Sequence, residues 1–312
     1  MGGPARGEWR PCYLPPVQLR IILAFAATWL VWGSTYLAIA FAVRDIPPLM
    51  VAAARNIVAG VLLYAWTRSR GAAFPARRQW RETALVGLLL LGLGNGAVTW
   101  AAQSEPTGVI ALIVALVPVW LLVFGWLGHR GVRPSLVEVL GVLLGLSGIA
   151  LLVSTDAAAG GSVTFVGFVV LLFSTLAWSA GSLYARQLES HPAPLLGTGM
   201  EMMIGGLALL IASGVSGEFS QFSLQDVTLR SALSLLYLIS FGSVIGFSAY
   251  KWLLGKVRPA LAGTYAFVNP VVAVLLGWAF AGEAITARLA MAMGLIVSAV
   301  AIISLRPYFR RQ

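Results

Sequence analysis

Cysteine occurs once in the 312 residues, as Cys12, so no intrachain disulfide can form. Histidine occurs twice, His129 and His191, both in connections between apolar stretches. Together these shortages argue against a His- or Cys-based metal cluster. Lysine is confined to Lys251 and Lys256, and neither follows the glycine spacing of a phosphate-cradling loop. That argues against an ATP-driven pump encoded in this chain. No Gly-x-Ser-x-Gly elbow occurs. Neither a cofactor nor a metal is expected, and the chain is not expected to be an enzyme. Charged residues make up only 10% of it, against roughly a quarter in a soluble domain.

What is present is apolar. Hydrophobic residues account for 59% of the chain and the mean hydropathy is +0.88, which places it in the bilayer. The net charge of +10 raises the question of nucleic acid. The basic residues lie in short connections without an aromatic-rich soluble platform, so no nucleic-acid partner is expected. The first apolar stretch, Leu19 to Val43, exceeds the ~7–15 residues of a signal-peptide core and reads as a retained helix. About 20 apolar residues cross the hydrocarbon core. Ten segments approach this, near 19–43, 48–67, 82–103, 106–128, 135–153, 163–186, 194–214, 230–253, 258–280 and 286–306. They are long and do not alternate, so helices are expected rather than barrel strands.

The same pattern then appears twice. Trp32, Leu37, Pro48 and Gly60 recur 146 residues later as Trp178, Leu183, Pro194 and Gly206. Gly94, Trp100, Pro118, Gly125 and Trp126 recur 152 residues later as Gly246, Trp252, Pro270, Gly277 and Trp278. Five spans separate the copies, and an odd number turns the second copy upside down. The expected fold is therefore all-α and integral to the membrane, with ten transmembrane helices in two inverted five-helix repeats. The divisions are a tail (1–18), a first repeat (19–153), a linker (154–162), a second repeat (163–306) and a tail (307–312).

Orientation follows from Lys and Arg in the connections. With the N-terminus inside, the inner side receives seventeen, among them Arg68, Arg70, Arg77, Arg78, Arg81 and Lys251, and the outer side three: Arg44, Arg230 and Arg288. Both termini are expected in the cytoplasm, in a cell (inner) membrane. Asp45, Glu105, Asp156, Glu218, Asp226 and Glu283 fall outside.

Two charges remain deep within spans, Arg55 and Glu201, each seven residues after a matched proline. Facing lipid, each would cost about 2.5–3.5 kcal/mol, so both should face a cavity or one another. On one reading Arg55 receives an anionic substrate group while Glu201 handles a cation or the coupling proton. On the other they form a structural ion pair. Polar and aromatic residues interrupt further helices. Trp32 and Tyr36, Trp178, Asn95, and Tyr265 with Asn269 are the candidates for a solvated cavity with aromatic walls, able to hold flat or cationic organic molecules. Ser and Thr in the same stripes serve equally well to satisfy backbone groups or join helices. Pro118 and Pro270 sit mid-span at matched positions and are candidate hinges or static kinks. The glycine sets Gly92/Gly94/Gly96 and Gly141/Gly145/Gly148 are expected to allow close packing.

The run Trp32-Gly33-Ser34-Thr35-Tyr36, with Pro47-Pro48, Arg55 and Ala59-Gly60, resembles the first repeat of EamA-type transporters in the drug/metabolite transporter superfamily. Gly205-Gly206, Tyr265, Asn269-Pro270, Gly277-Trp278 and Gly282-Glu283 resemble the second. The resemblance covers 20–153 and 164–306. It implies ten helices with cytoplasmic ends, export of amino acids, metabolites or drugs, and a characteristic arginine at Arg55. Glu201 stands where the family often has Gln, so a proton role does not follow from it. Gly128-His129 replaces a common Gly-Glu. The expected function is a secondary exporter, acting as a monomer on a small molecule, with protons as a candidate partner. The alternatives are an exchanger of nucleotide sugars or other organic anions, and, from other classes, a membrane-embedded enzyme or scaffold.

Overall fold

A chain so rich in apolar residues must satisfy its backbone polar groups internally, and it does so by helices. The computed structural model describes residues 16–127, 136–153, 163–188, 193–257, 262–263 and 265–309, and none of these is in a strand. The main helices are α1 (Leu19–Ala42), α2 (Pro48–Ser69), α3 (Arg77–Ala101), α4 (Thr107–Leu127), α5 (Leu136–Val153), α6 (Phe165–Gln187), α7 (Pro194–Val215) and α8 (Leu229–Lys256). After them come α9 (Tyr265–Leu276) and α10 (Ala287–Phe309). Among the described residues, seven helices are long and apolar enough to cross a membrane, and Val139–Gly148, Val268–Ala281 and Ala287–Ala299 form shorter apolar stretches. Cys12, His129, His191 and the linker 154–162 lie outside the described residues.

Helix α3 starts at Arg77, five residues earlier than hydropathy places it. The Gln79 side chain accepts from the Ala76 N–H at 2.8 Å, closing a first turn that polarity alone reads as loop. Apolar side chains such as Leu62, Leu146, Ile211 and Leu236 project from the bundle, as a surface solvated by lipid tails requires.

Glycine sets the closest contacts. Where α2 crosses α7, a Cβ on Gly60 would stand 2.8 Å from the Gly199 carbonyl, and one on Gly199 would stand 2.9 Å from the Gly60 carbonyl. Backbones can touch there only because no side chain intervenes. Likewise α5 meets α10 where a Cβ on Gly148 would be 2.7 Å from Ile296.

The regular helical turn is interrupted by wide π-type turns at Ala27–Val31, Leu88–Asn95, Leu238–Phe247 and Gly277–Ala281. Such turns cluster at functional sites because they re-aim side chains and carbonyls. Those in α3 and α8 lie at matched positions of the repeated pattern. Gly94 in α3 faces Trp178 of α6, where a Cβ would approach the ring to 3.0 Å, and Gly246 in α8 faces Trp32 of α1 even more tightly. The carbonyls here also receive bonds from other helices: Trp32 Nε1 donates to Gly242 O at 3.1 Å, and Ser174 Oγ to Gly94 O at 2.7 Å.

At one end of the bundle four carboxylates cap helices. Glu218 accepts from the Leu49 and Met50 N–H groups at 3.1 and 3.0 Å, at the start of α2. Asp45 accepts from Thr228 N and Oγ1 and from Ser231 Oγ at the start of α8. Glu105 accepts from Thr164 N and Oγ1 at the start of α6, and Glu283 from Thr107 N and Oγ1 at the start of α4. Free N–H groups and the positive end of the helix dipole favour an anion at each site. Every one of these caps joins residues 19–153 to residues 163–306.

Candidate functional site

Pro48 at the first turn of α2 fixes where that helix begins, and the register then carries Arg55 and Asn56 into the interior. Arg55 is 4% exposed. Its Nε donates to Ser243 Oγ, on the wide turn of α8, at 3.1 Å. Among the described residues no carboxylate lies within ion-pair distance of it. Gly242 lets the guanidinium pack closely against α8, since a Cβ there would stand 3.0 Å from Nη2 and from Thr35 Cγ2. Asn56 donates to the Ala52 carbonyl at 2.9 Å and towards Asn95 Oδ1 at 3.4 Å, while its own Oδ1 is buried without a partner.

These groups line a cavity enclosing about 670 Å³ of space between atoms, its open mouth included. Trp32, Tyr36, Arg55, Asn95, Trp178, Tyr265 and Asn269 all contribute to its wall, from helices α1, α2, α3, α6 and α9. The aromatic side of the wall is a connected cluster. The Trp32 ring meets Trp178 at 5.7 Å and 84°, and Tyr265 at 5.0 Å and 89°. Both angles are edge-to-face, the arrangement the ring quadrupoles favour. Tyr250 stands behind them, 1% exposed, with its hydroxyl 3.0 Å from Ser182 Oγ. With its amide nitrogen so oriented, Asn269 donates to the Tyr265 and Trp29 carbonyls at 3.1 and 3.0 Å.

Glu201 is placed elsewhere. It is buried in α7 but does not line the cavity. Its Oε1 accepts from Lys251 Nζ at 2.8 Å, and its Oε2 has no partner. The two deep charges therefore do not pair with each other. Lys251, counted from sequence among the cytoplasmic loop residues, belongs to α8, where its side chain is 18% exposed. Its position within the apolar segment 230–253 is the signal that could have found it. Asn56, overlooked beside Arg55, is visible only once the helix register is known.

Asn95 of α3 lines the cavity, Thr99 returns its hydroxyl to the Asn95 carbonyl at 2.9 Å, and Gln103, just past the end of the helix, is exposed. Pro118 is the second residue of Val117–Leu127, which follows a break at Ala115–Leu116, whereas Pro270 lies inside α9.

A profile of the EamA-like transporter family matches the chain twice, over residues 19–154 and 165–305. The chain belongs to this family. The inner membrane transporter YedA of Escherichia coli (strain K12) is 40% identical over 287 residues, covering 91% of this chain and 90% of that protein. The transporter YvbV of Bacillus subtilis (strain 168) is 26% identical, with 93% of each chain covered. Protein PecM of Dickeya dadantii is 27% identical, covering 90% of this chain and 91% of that one. A protein crystal structure superposes with a TM-score of 0.67 at 20% identity, over 95% of this chain and 99% of the other, a likeness of fold. This EamA-family protein is thus a membrane transporter, and the cavity at the crossing of its two matched segments is its candidate binding site.

Proposed function

We propose that this chain is a secondary transporter of the cell (inner) membrane that exports small metabolites, amino acids or drugs by alternating access. In this reading ten helices form two repeats of opposite orientation, residues 19–153 and 163–306, with both termini cytoplasmic and a monomer as the working unit. One observation carries the reading. The α3 glycine of the first segment receives the α6 tryptophan of the second, while the matched α8 glycine receives the matched α1 tryptophan. Two halves that interlock reciprocally around a cavity can exchange the side to which it opens by rocking. Pro118 and Pro270 are the hinges of that motion, at a break in α4 and within α9.

Trp32, Tyr36, Asn95, Trp178, Tyr265, Asn269 and Arg55 contact substrate. Glu201, buried on Lys251 beside the cavity, exchanges the coupling proton. A nucleotide-sugar exchanger needs several cations around its substrate, and Arg55 is the one among the cavity-lining residues. Counterflow in proteoliposomes tests the proposal. The protein should accumulate labelled substrate above empty liposomes, and a pH gradient should drive uptake in the unchanged protein but not in Glu201→Gln. Uptake equal to empty liposomes for aromatic carboxylates, amino acids, nucleobases and hydrophobic cations alike would contradict it.

A further inference from the structure

The electrostatics of the cavity specify more than a small molecule. Arg55 is a cationic side chain with only 4% of its surface exposed. It is held by one neutral hydroxyl through Nε, and the remaining guanidinium N–H groups have no acidic acceptor among the described residues. Glu201, also buried, is engaged by Lys251 and is not among the cavity-lining residues. Asp45, Glu105, Glu218 and Glu283 cap helix ends. An isolated charge in such surroundings is expensive unless an opposite charge joins it. The lining thus carries one uncompensated positive charge together with the aromatic rings of Trp32, Tyr36, Trp178 and Tyr265.

We propose, building on the transporter reading, that the substrate is an organic monoanion with a flat apolar body. Its carboxylate, or another singly charged head, sits on the Arg55 guanidinium, and the body lies against Trp32, Trp178 and Tyr265. A guanidinium fork fits a carboxylate in two parallel hydrogen bonds. The assignment excludes hydrophobic cations, which would meet like charge. It also ranks zwitterionic amino acids below simple carboxylates. Their ammonium sits two bonds from the carboxylate, close to the guanidinium, where no described acid receives it.

The test uses four near-isosteres on the purified full chain: 3-phenylpropanoate, 3-phenylpropanamide, 3-phenylpropylamine and phenylalanine. Binding is read by titration calorimetry and thermal shift. The carboxylate should bind at least about tenfold more tightly than each of the other three, as expected for a charge-assisted bond at a buried site. Arg55→Gln should erase that preference, and Arg55→Lys should keep part of it. The ranking in the unchanged protein stands as a test even if a variant fails to fold. An amine or zwitterion that binds equally well overturns the proposal. So does failure of 3-phenylpropanoate, indole-3-acetate and 4-hydroxybenzoate alike to bind better than the amide. Carboxylate-selective binding without counterflow would sink the transporter reading and leave this one standing. Counterflow of the amine or zwitterion in preference would do the reverse.

Discussion

Two ionisable residues lie at matched depth in α2 and α7, yet the side chains around them give them different surroundings. Arg55 has the Ser243 hydroxyl and a place in the cavity wall, and Glu201 has Lys251 at 2.8 Å. Breaking a buried ion pair by deleting one member leaves the survivor uncompensated, which costs about 3 kcal/mol, whereas removing both costs much less. Lys251→Met should therefore lower the melting temperature of the purified protein sharply, and Lys251→Met/Glu201→Gln should recover most of the loss. A double variant no more stable than the single one would show that the pair contributes nothing. Sequence made Arg55 and Glu201 conspicuous, because charge within an apolar span is rare and costly. It did not reveal their partners, since Ser243 is 188 residues from Arg55 in the chain and Lys251 is 50 from Glu201.

Helices are legible where their periodicity is long and their ends are marked. Pro48 and Pro194 open α2 and α7 at the expected residues. The wide turns of α3 and α8 were not legible as such. Gly92, Gly94 and Gly96 of α3 suggested close packing, but that Gly94 admits Trp178 and Gly246 admits Trp32 is a property of the assembled bundle. The acids at helix ends carried more information than a charge count could extract, because each caps a helix distant in sequence. Hydrogen bonds from Ser231 and Thr228 hold the Asp45 carboxyl below the ordinary carboxylate range. A group whose folded value is depressed contributes stability above its unfolded value and loses it as the pH falls through the folded one. Melting temperature measured from neutral to acid pH should thus fall further in the unchanged protein than in Asp45→Asn. Parallel curves would remove the cap from the account. Glu218, which accepts from two backbone N–H groups and from Ser213 Oγ at 2.7 Å, should be the most damaging cap to replace by Ala, by roughly 1–2 kcal/mol.

For the molecule as a whole, the duplicated pattern announced two similar halves, and the family profile matches the chain twice in corresponding stretches. The aromatic and polar candidates came together around one cavity because matched helices interleave rather than forming separate bundles. The substrate's polarity could not be read from sequence, since it depends on which charges are already neutralised within the fold. In the proposed mechanism the two halves run in opposite senses through the membrane. The connections after α2 and after α7 are equivalent in the repeat, and both expose sites suited to labelling, Ala73 and Ser220. With Cys12 replaced by Ser, single cysteines at Ala73 and Ser220 can be labelled in intact cells with a membrane-impermeant maleimide. Ser220→Cys should react from outside, and Ala73→Cys only after the membrane is opened. Reaction of both from the same side would contradict that opposed arrangement.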